Sequence, residues 1–248
     1  MLHSPHTRWS AAAIHLLLSI LLIGSIALAV FIQWFPAGLH HAAKLDRLMG
    51  IMLGVDIVAG PLLTLILYRQ GKRGLKLDLT VVALLQVAFL GFGLNTLWSS
   101  RPLFLVGSGQ AFALLFANEV PDNAADNARK NGWKRFKGGG PWLVGVDLSS
   151  PVAREEFLFS YLVGDAGPLR DPDLFVPYTQ VSLDIAKQAR VLVDDVPAPA
   201  TERDGLRSLA LMSTRSKATV MLVDAKTGAP DRAVRMVQPQ KPPHNVTK

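Results

Sequence analysis

The opening hundred residues carry three long apolar runs broken by short polar ones. No Asp, Glu, Lys or Arg stands between Ser10 and Ala43. Within that stretch, residues 14–35 are almost wholly apolar. At 1.5 Å per residue they are long enough to cross a hydrocarbon layer of roughly 30 Å. Trp34 falls at the end of the run, where aromatic rings favour the membrane interface. A second run covers about residues 48–68 and contains one acid, Asp56. A third covers about 79–98 and contains Gln86 and Asn95. In lipid such runs must be helices, because their backbone groups find no water there. A cleaved signal peptide is the rival reading of the first run. Arg8 would be its charged start and Ala27-Leu28-Ala29 its cleavage site. The apolar run continues past that site to Phe35, which favours an uncleaved span.

After residue 99 the pattern shortens. Leu103–Val106 and Ala111–Ala117 flank Gly107-Ser108-Gly109-Gln110, which predicts a β-hairpin. Asn118–Arg129 reads as a short helix or loop, and Pro141–Leu148 as a strand. Ser150 and Pro151 open a helix that runs to about Val163. Ser182–Arg190 and Glu202–Ser213 read as helices, separated by a Pro-rich connector. Residues 217–224 and 229–237 flank a second turn, and 238–248 form a polar, frayed tail. The expected fold is a membrane α-helical domain of three transmembrane helices over residues 1–98, followed by a small α+β extracytoplasmic domain over 99–248.

Charge sharpens this division. The chain has 248 residues, half of them apolar and 18% charged. Residues 1–98 hold seven Lys or Arg and three Asp or Glu; the remainder holds nineteen and sixteen. A disordered chain and a wholly soluble enzyme are both poor fits. The net charge of +7 does not mark a nucleic-acid binder, since neither part is a dense basic domain. Its distribution instead sets orientation. The N-terminus carries Arg8 and the loop of residues 69–76 carries Arg69, Lys72, Arg73 and Lys76, whereas the first loop has Lys44 and Arg47. Cytoplasmic loops collect such residues. The N-terminus and the 69–76 loop are therefore expected in the cytoplasm, and three spans put residues 99–248 on the far side.

Candidate chemistry is sparse. There is no Cys, which removes disulfides, thiolate nucleophiles and Cys-ligated zinc. The six His are His3, His6, His15, His40, His41 and His244, none of them expected in a soluble core. His40-His41 is expected in a solvated outer loop, a pair too small to hold a metal. Gly138-Gly139-Gly140 lacks phosphate-loop spacing. The adjacent acids Glu155-Glu156 and Asp194-Asp195 point apart on any regular element, so neither makes an acid–base pair. No catalytic, cofactor-binding or metal-binding residue is assigned, and no small-molecule substrate is evident.

The candidates that remain concern packing and partner contact. An ionisable group inside a span costs about 2.5–3.5 kcal/mol on insertion scales, so Asp56 faces helices or water. It is either a proton or ion site or a polar packing contact. Ser25 and residues 90–95 reach a similar depth and are its expected neighbours. Gly50 and Gly54 make a small-xxx-small step that lets a helix approach, either within this chain or from a partner. Gly60 and Pro61 follow, and Pro61 should bend the helix. The densest charge is Arg129-Lys130-Asn131-Gly132-Trp133-Lys134-Arg135-Phe136-Lys137. Lys134 and Arg135 mark it as a seat for anionic headgroups or an acidic partner, or as a solvated loop with its aromatics in the core.

These landmarks carry a resemblance. Residues 54–65 (Gly-Val-Asp-Ile-Val-Ala-Gly-Pro-Leu-Leu-Thr-Leu), 71–79 (Gly-Lys-Arg-Gly-Leu-Lys-Leu-Asp-Leu), Leu84-Leu85-Gln86 and Arg101-Pro102 resemble the type IV pilin accessory proteins of the TfpX/TfpZ type. Asn118-Glu119-Val120, Leu174–Tyr178 and the 217–227 segment add to it. The resemblance implies a protein of the bacterial inner membrane, N-terminus cytoplasmic and C-terminal domain periplasmic. It implies non-catalytic support of pilin stability or assembly, with type IV pilin or pilus assembly proteins as partners, the lipid bilayer as surroundings, and no cofactor. The alternatives are a membrane-embedded transferase, which needs clustered acids or His at one membrane face, and a periplasmic sensor, which needs a cytoplasmic output domain.

Overall fold

The structure is a computed structural model, and it describes residues 7–43, 50, 54–69, 73–163, 165–216 and 218–237. The chain divides into two compact units. The first holds helix α1 (Arg8–Trp34) and the described residues between 50 and Arg101. The second takes residues 35–43 together with those from Pro102 onward.

In the first unit, α1 exposes Leu17, Leu18, Leu21, Leu22 and Ile32. An exposed apolar face of this size marks a surface for lipid or for another protein. Past residue 54, a π-helical turn (Val55–Ala59) leads into a helix over Gly60–Leu67. Pro61 accounts for the widened turn. It has no N–H to give the carbonyl four residues back, so the ladder loosens just ahead of it. A long helix over Leu75–Ser99 closes the unit and exposes Leu84, Val87 and Phe92. Among the described residues, two helices are long and apolar enough to cross a membrane, Arg8–Trp34 and Leu75–Ser99. The expected span over 48–68 is represented by a shorter apolar helix, Ile57–Leu67. Residues 44–49 and 51–53 of that region lie outside the described ones.

The second unit is built on one curled sheet. Residues 35–43 contribute a 3-10 turn (Pro36–Gly38) and a short helix α2 (His40–Ala43). With the two helices above counted as α3 (Gly60–Leu67) and α4 (Leu75–Ser99), the remaining elements follow in chain order. They are β1 (Pro102–Gly107), β2 (Ala111–Phe116), α5 (Ala124–Lys130), β3 (Lys134–Arg135), β4 (Trp142–Val146), α6 (Pro151–Leu162), β5 (Phe175–Pro177), α7 (Tyr178–Gln188), β6 (Arg190–Val191), β7 (Leu206–Met212), β8 (Thr219–Asp224) and β9 (Pro230–Arg235). The strand order is β3-β4-β1-β2-β7-β8-β9, with β5 also on β4 and β6 also on β7. β1 with β4 and β2 with β7 run parallel; the other pairs are antiparallel. Every residue of β1 and β2 is buried, so both faces of the central strands are covered. The main core gathers Phe104, Val106, Leu115, Val144, Phe157, Leu169 and Phe175. α7 buries Tyr178, Val181 and Ile185. Gly145 admits Val181 and Gly107 admits Tyr178, since a Cβ at either would fall 2.4 or 2.7 Å from those side chains.

The two expected hairpins are present as β1–β2 and β8–β9. The expected helix over Glu202–Ser213 is instead a 3-10 turn followed by β7. Leu206-Arg207-Ser208-Leu209-Ala210-Leu211-Met212 is rich in helix formers, but it is paired on both sides, and that pairing outweighs the local preference.

The expectation of a solvated loop around His40-His41 is also corrected. Phe35, Leu39, Ala42 and Ala43 are buried within the second unit. Gly38 takes φ +81°, and a Cβ there would fall 2.2 Å from the Ala233 carbonyl oxygen. The Ser213 hydroxyl donates to the Ala42 carbonyl at 2.8 Å. Pro36 packs on Gly140, where a Cβ would meet its ring at 2.7 Å. Residues 35–43 thus run along β9, the last strand of the order, and touch the turn after β3, the first. An ion pair from Lys137 to Asp231 at 3.5 Å links the same two regions.

Candidate functional site

A polar junction ties the helices of the first unit. The His15 imidazole on α1 lies with Nδ1 2.6 Å from the Thr64 hydroxyl on α3 and Nε2 2.7 Å from the Gln86 side-chain oxygen on α4. The Thr64 hydroxyl also lies 3.0 Å from the Gly60 carbonyl one turn back, and the ring's tautomer sets which of its nitrogens donates. Thr64 is buried and the other two are half-buried. In an apolar surrounding, three helices joined through one ring fix their mutual rotation and height.

Gly60 is part of this junction. A Cβ there would fall 1.9 Å from Gln86 Nε2, so the bare Cα makes the room for the amide. Pro61 is buried beside it at the start of α3. Asp56 sits in the π-helical turn, with its side chain outside the described ones. Ser25, an expected neighbour of Asp56, spends its hydroxyl on the Leu21 carbonyl of its own helix at 2.6 Å. Gly50 and Gly54 are exposed, and a Cβ at either would meet nothing within 4 Å among the described residues. The structure therefore brings together Gly60 and its neighbours, and leaves the Gly50/Gly54 step open. His15, Thr64 and Gln86 were not singled out as a group from sequence. A count along the three expected runs finds them: read as antiparallel spans, each run places its residue within about two turns of the same end.

In the second unit the notable feature is a parting of the sheet. β2 and β7 pair only over Ala111–Ala113. The Ser108 N–H donates to the Ala111 carbonyl at 2.9 Å, so alternate residues from Ala111 on bond to β1. Leu114 and Phe116 accordingly turn their backbone groups toward the gap. Glu119 fills the place of the missing strand. Its Oε2 accepts the Phe116 N–H at 3.0 Å and its Oε1 accepts the Thr214 hydroxyl from the loop after β7. Arg170 lies 3.8 Å from the same carboxylate and 3.0 Å from Asp165. The Arg215 guanidinium stacks on the Phe116 ring at 3.6 Å. Below this rim lies a cavity of about 350 Å³ lined by Leu114, Leu115, Leu211, Met212 and Val220. The hydrogen bond from Arg170 holds the Asp165 carboxyl below its ordinary range. Burial lowers the Arg215 guanidinium, and Glu119 opposes that shift. The cleft holds paired charges and an apolar floor, an arrangement suited to contact. Among the described residues there is no group of three metal-ligating side chains.

Lys134 and Arg135 form the short edge strand β3, both exposed. Arg135 stacks on the Trp142 ring at 4.2 Å and donates to the Gly140 carbonyl at 2.9 Å. Burial and the nearby Arg129 both lower its pKa. The aromatics of this segment turn inward: Phe136 is buried and Trp133 packs on the core beside Phe104 and Phe175.

No protein-family model matches the chain. No solved structure matches it either. Curated relatives do. The "Fimbrial assembly protein, serogroup I" of Dichelobacter nodosus is 30% identical over 185 residues, which cover 73% of this chain and 71% of the relative. The "Fimbrial assembly protein, serogroups C1 and C2" of the same organism is 27% identical over 112 residues, covering 44% of this chain and 85% of the relative. A serogroup E1 protein is 27% identical over 112 residues, which span 43% of its length. With nearly three quarters of its length aligned to the first of these, the chain belongs to the family of fimbrial assembly proteins.

Proposed function

We propose that this protein is an inner-membrane accessory factor of type IV pilus biogenesis, of the TfpX/TfpZ kind, acting by contact with pilin or the assembly machinery and not by catalysis. The kinship with fimbrial assembly proteins carries the reading. The two units supply its geometry. Residues 35–43 and the residues from 102 onward build one folded body, so both must stand on the same side of a membrane. The chain between them must then cross an even number of times. If the Leu75–Ser99 helix crosses, a second crossing is required between residues 44 and 74, where Ile57–Leu67 supplies the apolar stretch. With α1, that makes three spans. The basic residues of the 69–76 loop then favour a cytoplasmic N-terminus and a periplasmic second unit.

In this arrangement the polar junction holds the spans, and the open Gly50/Gly54 step and the Glu119 cleft are the surfaces offered to a partner. A pilin with an apolar membrane helix and a periplasmic head presents something to both. The test is a deletion in the native host, scored by pilin level and surface pili. The reading expects loss of piliation, restored by the wild-type chain. Unchanged piliation overturns it. Fusing alkaline phosphatase after Val237 tests the topology separately; an inactive fusion reverses the assigned sides.

A further inference from the structure

The segment Arg129–Lys137 holds five cations and no acid. Two of the five are engaged: Arg129 with Asp126 at 3.2 Å and Lys137 with Asp231 at 3.5 Å. Lys130, Lys134 and Arg135 are exposed, and no carboxylate among the described residues lies within ion-pair distance of them in the second unit. Arg135 is held in place by Trp142 and the Gly140 carbonyl. Gly140 in turn packs against Pro36, and Pro36 stands two positions after Trp34, the last residue of α1. Two residues of extended chain reach about 7 Å. Wherever α1 ends, the turn that carries Arg135 is therefore close by. That end has the marks of a headgroup layer. Trp34 meets Trp98 edge to face at 5.8 Å, and Arg101 lies over the Trp98 ring at 4.1 Å.

We propose that Lys130, Lys134 and Arg135 bind the phosphate groups of anionic phospholipids in the leaflet where α1 ends, and so seat the second unit on the membrane surface. The charge is of the right sign and the tether of the right length. Basic residues held near such a surface are drawn to it within a Debye length. The two aromatics that would compete for the same surface are committed to the core. The proposal rests on α1 crossing the bilayer, which the experiment checks on its own.

The chain contains no Cys, so Asn131→Cys gives a unique attachment point beside the cluster. The full-length variant carries a fluorophore there and is reconstituted into nanodiscs that contain headgroup-nitroxide lipid. The discs are of phosphatidylcholine alone or with about 30% phosphatidylglycerol. The expected result is quenching at least about twofold stronger in the anionic discs, with that excess lost in about 0.5 M salt and absent in a Lys130→Glu/Lys134→Glu variant. Both lysines are exposed and outside the core, so the fold is retained; unchanged thermal unfolding of that variant verifies it. Equal quenching in the two kinds of disc overturns the proposal and assigns the cluster to an acidic protein surface. An anionic-disc excess that survives both lysine substitutions also overturns it. A chain that fails to co-purify with discs at all sinks the membrane-crossing reading instead.

Discussion

His15 and Thr64 stand 49 residues apart in sequence, and their side chains meet at 2.6 Å. Replacing Thr64 by Val keeps shape and removes the oxygen. Interhelical hydrogen bonds of this kind contribute about 1 kcal/mol in membrane proteins. The Thr64→Val chain in detergent is expected to unfold at lower temperature, and the His15→Leu/Thr64→Val chain to lose less than the two single losses added together, the Gln86 bond of His15 still counting once. Fully additive losses in a double-mutant cycle would show that the two do not interact.

The three glycines of the second apolar run should behave differently. Gly60→Ala puts a methyl where the Gln86 amide rests, so the amide must leave the His15 ring. Its effect should match that of Gln86→Ala and not add to it. Gly50→Ala and Gly54→Ala meet nothing within 4 Å among the described residues, so the isolated protein should keep its thermal midpoint. A loss of piliation with either, at normal protein level, would mark that step as a partner contact.

Gly38→Ala combines a left-handed backbone position with a collision against the Ala233 carbonyl. Strain of this kind costs about 2–3 kcal/mol. The substitution should release residues 35–43 from β9. Faster proteolysis between Trp34 and Ala43 in the full-length chain checks it, and unchanged protection would refute the seat assigned to that segment.

Glu119→Ala leaves the Phe116 N–H and the Thr214 hydroxyl without their acceptor. The expected loss is about 2 kcal/mol in denaturant unfolding. Glu119→Gln retains an acceptor oxygen and should be milder. Equal losses would mean that charge, not hydrogen bonding, holds the two loops together.

Asp165 gives a dependence on acid. Its carboxyl is lowered in the folded chain by Arg170 and is free of that influence when unfolded. The contribution is thus fully present above the ordinary carboxylate range and fades as pH falls through the lower folded value. The pair is half exposed, so the effect is about a few tenths of a kcal/mol. Asp165→Asn should lower stability by that amount at neutral pH and converge with the wild type at acid pH, which flattens the acid limb.

The sequence displays what local pattern can display. The long apolar helices and both hairpins follow from runs of like residues and from Gly-rich turns. β7 does not, because Leu206–Met212 has a helical composition and becomes a strand only through neighbours on either side. The same limit hides the sites. Asp56, Gly50 and Gly54 stand out as oddities within a span, whereas the pairing of His15 with Thr64 and Gln86 needs three helices at a common depth. Glu119 shows in the sequence as part of the Asn118-Glu119-Val120 landmark but not as a link, because the loop it joins to Phe116 lies 95 positions further on, at Thr214.

The seat of residues 35–43 also orders events in time. The Ala42 carbonyl receives its hydrogen bond from a residue 171 positions later, and the groove under Gly38 is finished only when β9 has been made. Early chain must wait for late chain. A ribosome that stops before Ala233 leaves an apolar strip beginning at Phe35 with nowhere to go, and such truncated products are natural substrates for quality-control proteases.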